Sequence, residues 1–471
     1  MYCSCCALVA VFLLWIEALN YSALPNCFTL STKQCLAYWS LTRNTLPLAS
    51  EHIRSSLVNI NKFQSWNASN TISGKCCRMI AGDDCVLSQV KKVKPLNDDQ
   101  FYARFSSCVS IRSELYSTYY VSQEEESFPL AYVLTTHNNP HTLFKFLRGV
   151  YRQHNAYCIH YDKKSSSNFK SFIQLLSICA DNIIVSTKIE NVIWGHVSLL
   201  NAQLNCFRDL LLYRSRVPWK YAFNLNGLEL PLRTNRELVE MLQSQPVNTS
   251  IVETWPIHDR VDKSRLTYRA HLLTLPITNV RAVFLSSEKL TSMPSSLDLS
   301  DIYKSSCFIA ATPNYVQYML ESELSKNLLS FLQNVSCAEE YFYATLYNHK
   351  LTPGGRYQSG KGEKYAPPFV VSMSVWMQAI VNRRIYCHGS VVHGYCHFSV
   401  RDLKSMFSLF VNGELIEPFP PNNYGHGLNP AFVSGTKKNN VFDEVYHRYR
   451  HYCNGLPGGT TFYAKYVRIL L

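Results

Sequence analysis

The sequence predicts an α/β fold, a mostly parallel sheet flanked by helices, on three observations. With 471 residues, of which 47% are hydrophobic, the chain can bury one large core or two smaller ones. From Phe128 onward, short apolar runs of strand type alternate with longer runs of helical spacing. The strand-type runs are nearly continuous in apolar residues, as strands covered on both faces are.

The elements follow in order. PLAYVLTTH (129–137) reads as a buried strand, TLFKFLRGVY (142–151) as a helix, and AYCIHYD (156–162) as a second strand ending in a carboxylate. SFIQLLSICA (171–180) continues as helix, NIIVST (182–187) as strand, VSLLNAQLNCFRDLLLY (197–213) as a long helix and YAFNLNG (221–227) as another strand. Strands joined by helical crossovers run parallel, and ligands of such sheets bind at the carboxyl ends of the strands. Neither G-x-G-x-x-G nor G-x-x-x-x-G-K-[ST] occurs, so the dinucleotide and P-loop phosphate cradles are missing.

Around this unit, residues 21–123 are polar, rich in Ser and Asn and broken by cysteines, which suggests a stem followed by helical decoration. The main domain is assigned to 124–453 and a C-terminal tail to 454–471. Within the domain, 413–438 is loop-like, because Pro418, Pro420, Pro421, Gly425, Gly427, Pro430 and Gly435 interrupt any regular element.

Seventeen cysteines, spread without paired C-x-x-C zinc spacings, indicate a disulfide framework in an oxidising compartment. Sequons at Asn20, Asn67, Asn248 and Asn334 agree with lumenal exposure. Residues 1–20 carry an apolar run from Cys3 to Ile16, closed by Glu17 and shorter than the roughly 20 residues that span a bilayer comfortably. Signal anchor and cleaved signal peptide both fit, and either sends the chain into the secretory pathway. The formal charge of +13 is dispersed in short doublets such as Lys91-Lys92, Lys163-Lys164, Arg383-Arg384 and Lys437-Lys438. A phosphate-bearing ligand or an anionic membrane surface explains that pattern, and no nucleic-acid partner is expected.

The segment FPLAYVLTTHNNPHTLFKFLRGVYRQHNAYCIHYDKK, followed by LNAQLNCFRDLL, WKYAFNLNGLELPLRTNRELVE, CAEEYFYATL and CHGSVVHGYCHFSVRDL, resembles the core-2/I-branching β-1,6-N-acetylglucosaminyltransferase family, which also includes xylosyltransferases. The likeness covers roughly 128–403. It implies a GT-A-type nucleotide-sugar transferase fold, a UDP-GlcNAc donor, a glycan or glycoprotein acceptor, inversion at the anomeric carbon and no metal or other cofactor. The sequence adds its own argument on the metal, since no D-x-D triplet is present. Glu229 in NLNGLEL remains open as a hard-cation ligand.

Inverting transfer requires one base to take the acceptor hydroxyl proton. CAEEYFYATL places Glu340 at the family's base position, with Glu339 beside it. For the acceptor, the resemblance assigns Glu253 in IVETW, Arg265 in KSRLTY and the stacking Trp376. A family lysine falls at Asp262 or Lys263, and a family tyrosine is replaced by Gln378. For the donor it assigns His137 and Asp162 to the uridine pocket.

Without a metal, the departing diphosphate must be met by fixed cations. The family arginine for this task corresponds to His393 in CHGSVVHGYC, and the family lysine falls opposite Pro418, with Lys437 and Lys438 as other candidates. An imidazole clamps a diphosphate less well than a guanidinium. The function expected is therefore O-glycan branching by β-1,6 transfer, with xylosyl transfer or a non-catalytic lumenal sugar-binding protein as alternatives. Localisation is expected in the Golgi membrane as a single-pass type II protein with a lumenal domain, or secretion after signal cleavage. Disulfides implied by the family are Cys108 with Cys179, Cys158 with Cys206, Cys387 with Cys396, and Cys77, or its neighbour Cys76, with Cys453. Cys27, Cys35, Cys85, Cys307 and Cys337 receive no partner, and Cys337, three residues before Glu340, is weighed as a catalytic thiol.

Overall fold

The computed structural model describes residues 96–116, 121–231, 235–257, 260–274, 281–290, 297–354, 371–373, 387, 390–392, 395–397 and 432–433. Among the described residues three short helices come first: α1 (Asp98–Arg104), α2 (Cys108–Leu115) and α3 (Gln123–Ser127). Each starts where a side chain accepts an otherwise orphaned backbone N–H, at Asn97 (2.8 Å), Ser107 (3.3 Å) and Ser122 (3.3 Å). Asn97 and Ser122 complete capping boxes with Gln100 and Glu125.

The alternation read from the sequence then appears as β1 (Leu130–Thr136), α4 (Pro140–Val150), β2 (Ala156–Tyr161), α5 (Ser167–Cys179), β3 (Ile183–Val185), α6 (Ser198–Tyr213) and β4 (Tyr221–Leu225). β1 pairs in parallel with β2 and β4, and β2 with β3. Farther along lie β5 (Leu230–Pro231), α7 (Asn235–Gln243), β6 (Ile251–Val252), β7 (Trp255–Pro256), α8 (Arg260–Thr267), β8 (Tyr268–Thr274), β9 (Arg281–Lys289), β10 (Tyr303–Lys304) and β11 (Ile309–Ala311). Among the described residues the chain continues with α9 (Pro313–Glu321), α10 (Glu323–Leu332), α11 (Glu339–Asn348), β12 (Ser372–Met373), β13 (Ser390–Val392), β14 (Tyr395–His397) and β15 (Phe432–Val433).

The main sheet has six strands in the order β3-β2-β1-β4-β11-β6. Only β11 runs against its neighbours β4 and β6, so the sheet is mostly parallel. Alternation along β1 divides the core. Leu130, Tyr132 and Leu134 point to the face covered by α4 and α5, packing with Phe144, Phe146, Leu147, Phe169 and Phe172. Ala131 and Val133 point the other way, with Ala156, Cys158 and Ala222 beside them, toward Leu200, Phe207 and Leu210 of α6 and Tyr341, Phe342 and Tyr343 of α11. Helices thus flank both faces, and each large side chain removed from water contributes roughly 1.5–3 kcal/mol.

Three disulfides tie these layers: Cys108 to Cys179 joins α2 to the end of α5, Cys158 to Cys206 joins β2 to α6, and Cys387 to Cys396 closes the β13–β14 hairpin. These are three of the four pairings that the family likeness implies; Cys76, Cys77 and Cys453 lie outside the described residues. No helix among the described residues is long and apolar enough to cross a membrane. Residues 1–20 lie outside that set.

Candidate functional site

Two neighbourhoods of polar side chains hold four of the expected site residues, His137 and Asp162 in one and Arg265 and Glu340 in the other. The first sits at the carboxyl ends of β1, β2 and β4. The register of β1 and β2 aligns Thr136 with Tyr161, so the next residues, His137 and Asp162, leave the sheet side by side. The Asp162 N–H donates to the Thr136 carbonyl (2.8 Å), and the Ser165 hydroxyl donates to the His137 carbonyl (2.7 Å). Asp162 is buried, while His137 is exposed at the rim. The Asp162 carboxylate accepts from the Lys164 N–H (2.8 Å) and from Lys164 Nζ (2.7 Å). Lys164 Nζ also donates to Asn191 Oδ1 (2.9 Å) and to the Val192 carbonyl. One step back on β2, the buried His160 accepts from the Glu190 N–H through Nε2 (2.8 Å), and burial holds its imidazole below the ordinary value. It is therefore neutral at pH 7.

The loop after β4 closes this edge. Gly227 has φ of +74°, and a Cβ there would lie 3.1 Å from Thr136 Cβ, so the loop rests directly on the end of β1. Glu229 is wholly buried, and its Oε2 accepts from the N–H groups of Asn226 (2.9 Å) and Leu228 (3.2 Å). Burial pushes this carboxyl up to about 7. Glu229, open from the sequence as a cation ligand, is thus folded onto its own turn. Among the described residues no group of three or more His, Cys, Asp or Glu side chains is placed to hold a metal ion.

The second neighbourhood surrounds the first turn of α11. Glu340 Oε2 accepts from Arg265 Nη1 of α8 (3.1 Å) and lies 3.4 Å from Lys304 Nζ of β10. The Arg265, Glu340 and Lys304 side chains are 22, 21 and 19% exposed, so the cluster is open enough for a ligand and dry enough for charge to matter. Oε1 of Glu340 carries no hydrogen bond among the described residues. The backbone is fixed as well, because the Ser305 N–H donates to the Glu340 carbonyl (2.7 Å) and the Glu340 N–H to the Cys337 carbonyl (3.0 Å).

Glu339 differs from its neighbour. It is buried, its Oε2 has no hydrogen-bond partner, and burial together with the Glu340 charge pushes its carboxyl up to about 8. Cys337 has φ of +57°, and its N–H donates to the Gly195 carbonyl (2.8 Å). Burial, with the nearby Glu339 and Glu340, pushes the Cys337 thiol up to about 12. A thiol so strongly protonated is a poor nucleophile, which removes the physical basis for a catalytic thiol there. Burial likewise raises the thiol of Cys307.

The structure therefore brings Glu340 and Arg265 into contact and sets His137 beside Asp162. Glu253 is buried just after β6, two residues before Trp255, whose backbone pairs with Lys304 across β7 and β10. Lys263 is exposed on α8. Asn248 is exposed in a turn with φ of +61°, and Asn334 is half-buried, its carbonyl accepting from the Ala270 N–H (2.8 Å). Trp376, Gln378, His393, Asn20, Asn67, Lys437 and Lys438 lie outside the described residues. Two cations were missed from the sequence. Lys164 stood in a visible doublet beside Asp162, whereas Lys304 is a lone lysine in IYKSS with no local signal.

Known proteins give a consistent comparison. The family model described as Core-2/I-Branching enzyme matches residues 130–407, from β1 through the Glu340 helix and the Cys387–Cys396 hairpin. A human N-acetyllactosaminide β-1,6-N-acetylglucosaminyl-transferase is 31% identical over 309 residues, covering 65% of this chain and 73% of the relative. A mouse β-1,3-galactosyl-O-glycosyl-glycoprotein β-1,6-N-acetylglucosaminyltransferase 4 is 32% identical over 56% of this chain and 57% of its own. A human β-1,3-galactosyl-O-glycosyl-glycoprotein β-1,6-N-acetylglucosaminyltransferase is 26% identical over 82% of this chain and 91% of its own. A match over more than half of the chain, containing both neighbourhoods of the site, means that this chain belongs to the Core-2/I-Branching enzyme family of glycosyltransferases.

Proposed function

We propose that the chain is an inverting, metal-independent β-1,6-N-acetylglucosaminyltransferase that moves N-acetylglucosamine from UDP-GlcNAc to a sugar hydroxyl of an O-glycan. The observation that carries this reading is the Glu340 carboxylate, which is held on one oxygen by Arg265 and Lys304 and has the other open. The acceptor hydroxyl oxygen attacks the anomeric carbon from the face opposite UDP. Its C–O bond forms as the bond to the diphosphate breaks, the electron pair leaves with UDP, and the hydroxyl proton passes to Glu340 Oε1. Arg265, Glu253 and Trp376 read the acceptor in this scheme, and His137 and Asp162 line the uridine pocket. The family likeness assigns His393 to the diphosphate, whose charge a fixed cation must offset when no metal does.

The cysteine framework and the sequons support a lumenal site of action, in the Golgi membrane with residues 1–20 as anchor. Relatives named for N-acetyllactosaminide and for β-1,3-galactosyl-O-glycosyl-glycoprotein supply the two acceptors to try. The test is transfer by the full chain from UDP-GlcNAc to N-acetyllactosamine and to a β-1,3-galactosyl O-glycopeptide, with EDTA present throughout. Transfer is expected to persist in EDTA and to fall by about 10²-fold or more in Glu340→Gln, the usual scale of general-base catalysis, with UDP binding retained. Wild-type rates in Glu340→Gln would dismiss the base, and loss of transfer in EDTA with recovery on adding manganese would dismiss metal independence. A chain that binds UDP-GlcNAc but transfers to neither acceptor would replace the enzyme with a sugar-binding protein.

A further inference from the structure

We infer that Lys304 is a positioning residue that, with Arg265, pins the Glu340 carboxylate by one oxygen so that the other faces the acceptor hydroxyl; the inference rests on the proposed base role of Glu340. Three observations carry it. The strand bearing Lys304 is fastened to the helix bearing Glu340 on both sides of the lysine. Before it, the Tyr303 N–H donates to Thr345 Oγ1 (3.1 Å), and that hydroxyl donates back to the Tyr303 carbonyl (3.3 Å). After it, the Ser305 N–H and hydroxyl both donate to the Glu340 carbonyl, at 2.7 and 3.2 Å. The pairing of Lys304 with Trp255 holds the strand from its other edge. The backbone of Lys304 is therefore held beside the first turn of α11, from where its ammonium reaches Glu340 Oε2.

The second observation is the convergence of both cations on the same oxygen, Oε2, at 3.1 and 3.4 Å. A carboxylate held by a single contact still rotates about its terminal torsion, whereas a donor from α8 and a second cation from β10 on the same oxygen restrict that rotation. Oε1 is then left without a hydrogen-bond donor among the described residues. The third is where the cations sit. Helix N-termini carry partial positive charge, so lysine and arginine gathered at the start of α11 do not favour the helix. Glu340 supplies a negative charge that offsets their placement there. Aiming a reacting group is worth a great deal, since a displacement of about 1 Å can cost on the order of 10²-fold in rate.

The test is a kinetic cycle on the full chain with UDP-GlcNAc and the better of the two acceptors named above. Lys304→Met and Lys304→Gln should each lower kcat by about 10-fold or more, with both KM values within about threefold of wild type. Lys304→Arg should keep most of the rate. In a Glu340→Gln background, Lys304→Met should cost nothing further, because the group it aims is no longer a base. A role confined to stability would reduce the residual rate by the same factor in both backgrounds, and that result would overturn the inference. So would unchanged kcat in Lys304→Met and Lys304→Gln, or an effect limited to the acceptor KM, which would make Lys304 an acceptor reader. If Glu340→Gln is inactive and the Lys304 variants are wild type, only this inference falls. Full activity of Glu340→Gln removes the base itself.

Discussion

Glu339 and Glu340 are adjacent in sequence and opposite in circumstance. Glu340 faces two cations, while Glu339 is buried with one oxygen unpartnered and its carboxyl raised to about 8. A carboxyl whose folded value lies above its unfolded value binds its proton more tightly in the native state. Its contribution to stability is complete below about 4.5 and is lost as pH rises through about 8. Glu339→Gln keeps the shape and removes the titration. Urea unfolding at pH 5 and pH 8 should therefore show the wild type losing more stability than the variant over that interval. Parallel losses would mean that Glu339 does not titrate there. Glu229, raised to about 7 by burial, titrates in the same window, so part of the slope remains in the variant. Transfer by Glu339→Gln should stay far above that of Glu340→Gln, since the buried carboxyl does not share the contacts of its neighbour. At this scale the family likeness assigned Glu340 and Arg265 to one site, and the structure sets these two side chains in contact. It could not name Lys304, because a two-residue strand has no periodicity and the contact spans 36 positions of chain, from 304 to 340.

Strand ends, not strand interiors, carry His137 and Asp162, the residues proposed for the donor side, and their geometry depends on the loop after β4. Gly227 occupies the left-handed region at +74° with Thr136 against it. A side chain there meets both backbone strain, of roughly 1–2 kcal/mol, and the end of β1. Gly227→Ala is expected to lower stability by about that amount and to weaken UDP binding, because Thr136 precedes His137. Urea midpoints and UDP titration calorimetry check the two effects, and an unchanged UDP affinity would place the donor away from this edge. The strands and helices from β1 through β4 were legible because strand-type and helix-type apolar runs alternate there, which marks even the three-residue β3. β11, Ile309–Ala311, is as short and stands outside that alternation. The β8–β9 hairpin escaped for another reason: its residues are half-exposed on both faces, so Tyr268–Thr274 lacks the contrast that marks a strand.

Across the whole molecule, the covalent ties explain how a long polar N-terminal region is joined to the sheet. Cys108 and Cys179 are 71 residues apart, and Cys158 and Cys206 are 48 apart. Closing loops of those lengths in the unfolded chain is worth about 4 kcal/mol each in the chain-entropy account. The two loops overlap in sequence, so their effects will not add in full. The cysteine count alone pointed to an oxidising compartment; the pairing came only from the family likeness, because 17 cysteines allow too many partners for spacing to choose. The α2 anchor has non-covalent help, as Arg112 Nε and the Tyr116 hydroxyl both donate to the Cys179 carbonyl, at 2.8 and 3.2 Å, and Ile111 and Leu115 are buried. Losing the Cys108–Cys179 bond should therefore loosen the molecule without unfolding it. The Cys108→Ala/Cys179→Ala variant is expected to melt about 6 °C below wild type, by the usual relation between stability and melting temperature for a domain of this size. Dithiothreitol should lower the wild type further, because it also opens the bridge between β2 and α6. Calorimetry with and without reductant distinguishes these outcomes, and equal melting temperatures for all three samples would mean that the fold holds without its bridges.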